Sequence, residues 1–466
     1  MEAETATRPE APRGIRGEGG ALDPAFVERV SDAVVRHDAA ALRQLVGDLH
    51  ESDLGDVIQA LEPEERERLI RLLGDDFDWI ALTEVSDTVR SAILESIPNE
   101  QIAEVVRALD SDDALEIISD LDEEDREAVL AGLPFAERIA LERSLDYPED
   151  SAGRRMTTKF IAVPPFWTVG QTIDFMREDE RLPNEFTELY VVDPRFRFVG
   201  TVPLDRLLRS QRPTRIEEIV SEAKHSVQAT DDQEDVARLF ERYNLLSVGV
   251  TDEHGRLVGV ITVDDIVDVI EEEADEDIKR LAGVGGEEIS DSVVRSVRSR
   301  FVWLFLNLGT AFAAAAVIAL FDGTIEQMVA LAILMPIVAS LGGNAATQAM
   351  TVTVRALATR DLATIRSFRF VRREAAIGLL NGAIFAAIVG VAAGSVFANP
   401  QLGMVIAAAL VVNMLAAGLA GVLVPLAFHR FGADPALAST VFVTAVTDVI
   451  GFFAFLGLAA WSFGLF

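Results

Sequence analysis

The stretch ALASTVFVTAVTDVIGFFAFLGLAAWSFGLF, residues 436–466, decides the fold, because it is long and apolar and yet carries one charge near its middle, Asp448. Burying an Asp at the centre of a membrane helix costs about 2.5 to 3.5 kcal/mol on insertion scales, so the residue needs a partner or a task. A cation supplies both. Thr440, Thr444, Thr447, Asp448 and Gly451 fall at i, i+4, i+7, i+8 and i+11, one stripe of an α-helix. The alternatives are an ion pair with a buried Arg, or a Thr-rich face packing on another helix. No Lys or Arg lies deep in any apolar segment, so the ion pair lacks a partner and a cation path is the expectation.

Four further apolar segments precede this one, at roughly Arg300–Phe321, Gln327–Val354, Glu374–Phe397 and Leu402–Phe428. With the last, Ala436–Trp461, each is long enough to cross a core of about 30 Å at about 1.5 Å per residue. Arginines crowd alternate loops: Arg295, Arg298 and Arg300 before the first segment, six between Arg355 and Arg373, and Arg430 after the fourth. The positive-inside rule then places the soluble part in the cytoplasm and the C-terminus outside. In the second segment Asn344, Thr347, Gln348 and Thr351 form another polar stripe, following Pro336, Gly342 and Gly343. Close helix packing through Ala339/Gly343 and Gly342/Ala346 explains the glycines but not the amides.

Charge divides the chain in two. The formal net charge is −34, and residues 296–466 hold 6 acidic and 9 basic side chains, which leaves −37 on the first 295 residues. There are no cysteines, so a disulfide framework and a thiolate metal site are excluded. Residues 1–22 read as a disordered tail, not a signal peptide. From 23 to 145 short helices recur, with Leu109, Leu121 and Leu133 at a 12-residue step and acidic openings after the first two, which predicts an all-α superhelical N-terminal domain.

Residues 151–272 alternate strand and helix and repeat themselves. Tyr190–Gly200 aligns with Gly249–Gly259 at an offset of 59, matching Asp193 with Asp252, Arg197 with Arg256 and Gly200 with Gly259. This resembles a tandem of cystathionine β-synthase (CBS) motifs, α/β modules that in many proteins bind adenine nucleotides. Gly259, Thr262 and Asp265 match the family's Gly-x-x-Thr-x-x-Asp signature, whose hydroxyl and carboxylate hold a ribose, so the resemblance implies a candidate ATP site. A capping box at a helix start fits Thr262 and Asp265 equally well. The first copy has Pro203 and Arg206 in those places, which limits the chain to one nucleotide site.

Between Asp264 and Asp277 nine of fourteen residues are acidic: Asp264, Asp265, Asp268, Glu271, Glu272, Glu273, Asp275, Glu276 and Asp277. On a helix they repel at i, i+3 and i+4 unless cations or basic groups sit opposite; the alternative is a solvated face. Gly283, Gly285 and Gly286 are expected to end that helix, with a second amphipathic helix over 287–299, so that 273–299 forms an acidic connecting and plug segment and 300–466 the five-helix transmembrane domain.

Taken together, the helical N domain, the CBS pair, the acidic helix, the Gly-Gly-Asn of the second span and the Thr447-Asp448-Val of the last resemble the MgtE family of magnesium transporters. The resemblance implies a homodimeric Mg²⁺ channel of a bacterial cytoplasmic membrane, not an enzyme. It implies a pore ion at Asp448 of both chains and closure when internal Mg²⁺ is high. Gly342, Gly343 and Asn344 match the second-span motif, and Thr444 and Thr447 join them as candidate pore groups. Cytosolic sensing acids carry over to Asp265, Asp268, Glu273, Glu276 and Asp277, with Asp264 and Glu272 beside them. Thr440 and Ala346 depart from the family's frequent Asn and Gly, which leaves fine selectivity open. The competing readings are a transporter of Co²⁺ or Mn²⁺, a membrane-anchored CBS sensor that transports nothing, and a membrane enzyme.

Overall fold

The computed structural model describes residues 15–17, 20–179, 181–183, 185–222, 225–284, 287, 292–358, 367–431, 434–437 and 440–464. They form two compact units, 1–272 and 273–466.

The first unit opens with short helices from Pro24–Val35 to Phe135–Leu145. Several helices have acidic N-caps: the carboxylates of Asp23, Asp38 and Asp122 accept hydrogen bonds from the backbone N–H groups of Ala25, Ala41 and Asp125, satisfying donors that a helix start leaves orphaned, whereas Asp110, which heads the other acidic opening, makes no such side-chain bond. Leu109 and Leu133 each follow a helix directly, in extended backbone, and both are buried with Leu121. The 12-residue step is therefore one short helix plus a leucine that plugs the junction. Alternate helices pack on one another, Asn99–Ala108 on Glu123–Gly132 and Ser111–Ser119 on Phe135–Leu145, as a stacked repeat requires.

Two features of this domain escaped the sequence. Ile15 is buried in the helical core, and Arg16 pairs with Asp53 (2.5 Å) and Asp56 (2.7 Å). The expected tail over 1–22 is thus corrected at its end, because one apolar and one basic side chain suffice to anchor it; residues 1–14 lie outside the described residues. Arg90, only 2% exposed, is held by Asp87 (2.7 Å), Glu116 (2.5 Å) and Asp120 (2.6 Å), which supply the hydrogen bonds a buried guanidinium needs.

The CBS pair consists of two small mixed sheets. Strands β1 (Ala162–Val163), β2 (Glu188–Val192), β3 (Phe198–Pro203) and β4 (Ser221–Glu222) run in that order in one sheet, and β5 (Ser226–Gln228), β6 (Ser247–Thr251) and β7 (Leu257–Thr262) in the other. The repeat is reproduced in register, with Val191 opposite Gly200 and Val250 opposite Gly259. Both glycines are forced by packing. A Cβ at Gly200 would lie 2.3 Å from the Ser221 carbonyl oxygen, and one at Gly259 2.5 Å from the Met156 sulfur.

A 19-residue helix, Val263–Leu281, leaves the CBS pair, and Gly283 follows it at φ +70°. In the second unit five helices are long and apolar enough to cross a membrane: Val293–Ala319, Ala330–Leu357, Phe368–Val396, Pro400–Arg430 and Thr440–Phe463. The fourth is the hub and packs on the second, third and fifth. Glycines let the third and fourth approach closely, since a Cβ at Gly378 would lie 2.5 Å from the Met414 carbonyl oxygen and one at Gly403 2.4 Å from that of Gly390.

Two boundaries move. Helix from Val293 runs unbroken into the first span, so 293–299 is not a separate plug helix; Gly285, Gly286 and 288–291 lie outside the described residues. The third span begins near Ser367, because Arg369, Arg372 and Arg373 extend it by nearly two turns instead of forming a loop. Residues 359–366 of that loop lie outside the described residues.

Candidate functional site

The last span, Thr440–Phe463, splits its polar stripe between two neighbourhoods. Asp448 and Thr444 are partly exposed, whereas Thr447, Gly451, Phe455 and Ala459 are buried against the other helices. No ion pair among the described residues reaches Asp448. The Thr444 hydroxyl donates to the Thr440 carbonyl (2.6 Å) and the Thr447 hydroxyl to that of Thr444 (2.9 Å), so each keeps only acceptor capacity for a guest.

The second span meets this one directly. A Cβ at Gly343 would lie 3.3 Å from Thr444 Cγ2, which puts the Gly-Gly-Asn turn beside Thr444. Asn344, Gln348 and Thr351 are exposed along the second helix, and the Thr347 hydroxyl is spent on the Gly343 carbonyl (3.0 Å). The structure therefore sets Gly343 against Thr444, with Asn344 one residue further along the second helix and Asp448 one turn further along the last. It places Thr447 and Gly342 in the helix packing, away from that exposed surface.

Gly342 has a specific neighbour. A Cβ there would sit 2.2 Å from Nδ2 of Asn413, and one at Gly451 2.7 Å from the same atom. Asn413, on the fourth span, is fully buried and donates to the Val338 carbonyl (2.8 Å). Nothing in the sequence marked it, since it stands alone in an apolar run.

A second acidic locus lies inside the first unit, where the start of the connecting helix faces the N domain. Burial, together with repulsion from Asp265 and Asp113, pushes Asp112 well above the usual carboxylate range, and its Oδ1 has no hydrogen-bond partner among the described residues. Burial and the charges of Glu116, Asp110, Asp265 and Glu84 push Asp113 up to about 7. Asp265 is raised to about 6, chiefly by burial, and Asp268 is raised by burial and by Glu84. Asp265 and Asp268 thus face Asp112, Asp113 and Glu84 of the N domain, partners that sequence reasoning missed.

The remaining sensing candidates are placed differently. Glu272 pairs with Arg155, and Glu276 pairs with Arg280, which also holds Asp434. Asp264 is exposed, and Glu273 and Asp277 each have an interaction partner. Among the described residues no three carboxylate or imidazole side chains are gathered closely enough to cage a metal ion.

At the nucleotide candidate, the Thr262 hydroxyl donates to Asp265 Oδ2 (2.6 Å) and the Thr262 N–H reaches the same atom (3.3 Å). This is the capping arrangement. In the first copy Arg206 donates to the Ile219 carbonyl (3.0 Å) and to Ser221 Oγ (2.9 Å), which stitches its own module together.

Known proteins agree with this division. Residues 335–458 match the family model described as a divalent cation transporter, MgtE; 49–150 match the MgtE intracellular N domain, and 152–212 and 216–272 match CBS domains. The magnesium transporter MgtE of Bacillus subtilis is 31% identical over 317 residues, covering 68% of this chain and 70% of that protein. This chain belongs to the MgtE family of magnesium transporters. The MgtE of Thermus thermophilus is 35% identical over 319 residues, covering 67% of this chain and 70% of that one. A crystal structure described as the cytosolic domain of the Mg²⁺ channel MgtE in complex with ATP shares 30% identity over 52% of this chain and 99% of its own, with a TM-score of 0.48. As an MgtE-family member the chain is a multi-pass membrane transporter with an intracellular N domain, not an enzyme, and its substrate is a divalent cation.

Proposed function

We propose that this MgtE-family chain works as a homodimeric Mg²⁺ channel, with its pore between the second and last spans of two subunits and its gate set by cations at the acidic cytosolic surfaces. One observation carries the pore: Asn344, Gln348 and Thr351 are exposed on a membrane helix, next to the partly exposed Thr444 and Asp448. Amides and a carboxylate facing hydrocarbon are unfavourable, so this surface meets water or a second copy of itself. Mg²⁺ keeps most of its octahedral waters, and Asn344, Thr444 and the carbonyls near Gly342 and Gly343 suit it as acceptors for those waters, with Asp448 supplying the charge. Five spans carry the C-terminus to the outer side.

The absence of cysteine makes a direct test clean. Asn344→Cys is expected to react with a membrane-impermeant thiol reagent and to be protected by Mg²⁺, whereas Leu380→Cys, exposed on the third span, stays unlabelled. Equal labelling of both, or of neither, would reject the water-filled path.

For the cytosolic part, Asp112, Asp113, Asp265 and Asp268 form the sensing core. Glu272 and Glu276 hold arginines, and Asp264, Glu273 and Asp277 add charge along the same helix. That helix joins sensor to pore: its last residue, Leu281, packs beside Ala346, Met350 and Val443, and Arg280 pairs with Asp434 ahead of the last span. ATP is assigned to the second CBS copy through Gly259, Thr262 and Asp265. The Thr262–Asp265 hydrogen bond has to open to a ribose, so calorimetry on the full chain should show ATP binding that Asp265→Ala removes. An unchanged signal would leave those residues as a helix cap alone.

A further inference from the structure

We infer that Asn413 is a positioning residue for the pore: its carboxamide is the wedge that fixes the second span against the last, at the level of Asn344 and Asp448. The inference rests on the pore reading above and extends it to a helix that carries no pore residue. Asn413 lies near the middle of the fourth span and is 0% exposed. A buried amide at membrane depth is retained only where it has a specific neighbourhood. Its Nδ2 donates to the Val338 carbonyl of the second span (2.8 Å), one turn before Gly342. Its Oδ1 is buried with no hydrogen-bond partner among the described residues.

The slot around that amide is built from two helices. A Cβ on Gly342 would lie 2.2 Å from Nδ2 and 3.1 Å from Oδ1, and a Cβ on Gly451 would lie 2.7 Å from Nδ2 and 3.0 Å from Oδ1. A Cβ at either position would therefore displace the Asn413 carboxamide. Gly342 is two residues from Asn344 and Gly451 three from Asp448, so at about 1.5 Å per residue the wedge sits within one helical turn of both. Sliding or rotating either helix against the fourth breaks the fit. The wedge thereby sets the spacing between the Asn344 and Asp448 stripes, which is what a hydrated ion reads.

The test uses the full chain reconstituted in liposomes, with Mg²⁺ and Mn²⁺ influx measured separately and assembly checked by size-exclusion chromatography. Asn413→Leu keeps the branched shape and removes the amide; it is expected to assemble, to lower Mg²⁺ influx by roughly tenfold and to shift the Mg²⁺/Mn²⁺ ratio, since a misplacement of about 1 Å can cost a positioned site as much or more. Gly342→Ala should do the same, and adding Asn413→Ser in the Gly342→Ala background should lower influx little further, because the new Cβ has already displaced the amide. Wild-type influx and ratio in Asn413→Leu, or a second loss in the double variant as large as the first, would overturn the inference. If Asn413→Leu fails to assemble, Asn413→Ser alone is read by the same ratio, and an unshifted ratio there overturns it equally. Asp448→Asn separates the two levels: wild-type influx in that variant defeats the pore reading, whereas loss of influx there beside normal Asn413→Leu defeats only the wedge.

Discussion

Replacing Asp448 by Ala is expected to abolish Mg²⁺ uptake while the protein still assembles in the membrane. Asp448 is the charged residue deep in the last span, and none of the ion pairs among the described residues neutralises it. In a dimer two such carboxylates about 6 Å apart repel by roughly 2.8 kcal/mol at an effective dielectric of about 20, and a divalent ion between them removes that repulsion and is attracted to both. Losing stabilisation of that size costs on the order of a hundredfold in occupancy, and losing both charges costs more. Asp448→Asn keeps shape and loses charge, so it should fail nearly as fully. Influx into proteoliposomes, followed with an internal Mg²⁺ dye, checks both. Wild-type flux in either variant would move the ion path elsewhere.

How far the site was legible follows from how each signal is written in the chain. Stripes at helical spacing show in sequence, and so does a repeat offset by 59 residues, because both are periodic within one element or module. The last-span stripe was nevertheless too coarse. Thr447 and Asp448 are consecutive and stand about 100° apart on a helix, so one turns into the bundle and the other to its edge. Asn413 is a lone polar residue with no periodic partner, and only the glycines on two other helices give it meaning. Asp112 and Asp113 carry every mark of ordinary first-turn acids, and their raised affinity for a proton arises only because folding buries them and sets Asp265 against them. The buried Ile15 shows the same limit at the N-terminus, where composition alone reads as unstructured.

If the carboxylates at the N domain and CBS contact sense Mg²⁺ as proposed, acid and Mg²⁺ are expected to be interchangeable there. Asp113 is raised from 3.8 to about 7 and Asp265 to about 6, both first by burial and then by neighbouring acids. A raised carboxylate means the folded contact binds its proton more tightly than the unfolded chain does. Its penalty is therefore absent below the unfolded value, grows as pH rises, and is complete above the folded value. Each pKa unit is worth about 1.4 kcal/mol, so near neutrality without cations the contact opposes a penalty of several kcal/mol. Divalent cations offset that penalty, and so do protons. Protease cleavage within residues 1–272 should accordingly be fast at about pH 8 without Mg²⁺, and slow there with about 10 mM Mg²⁺. It should also be slow at about pH 5.5 without Mg²⁺, where added Mg²⁺ gives little further protection. Asp112→Asn combined with Asp113→Asn and Asp265→Asn removes the three most strongly raised carboxyls of this contact, so cleavage should become slow at both pH values and lose most of its response to Mg²⁺. Cleavage indifferent to both pH and Mg²⁺, in a protein whose transport is still shut by Mg²⁺, would move the sensor away from this contact.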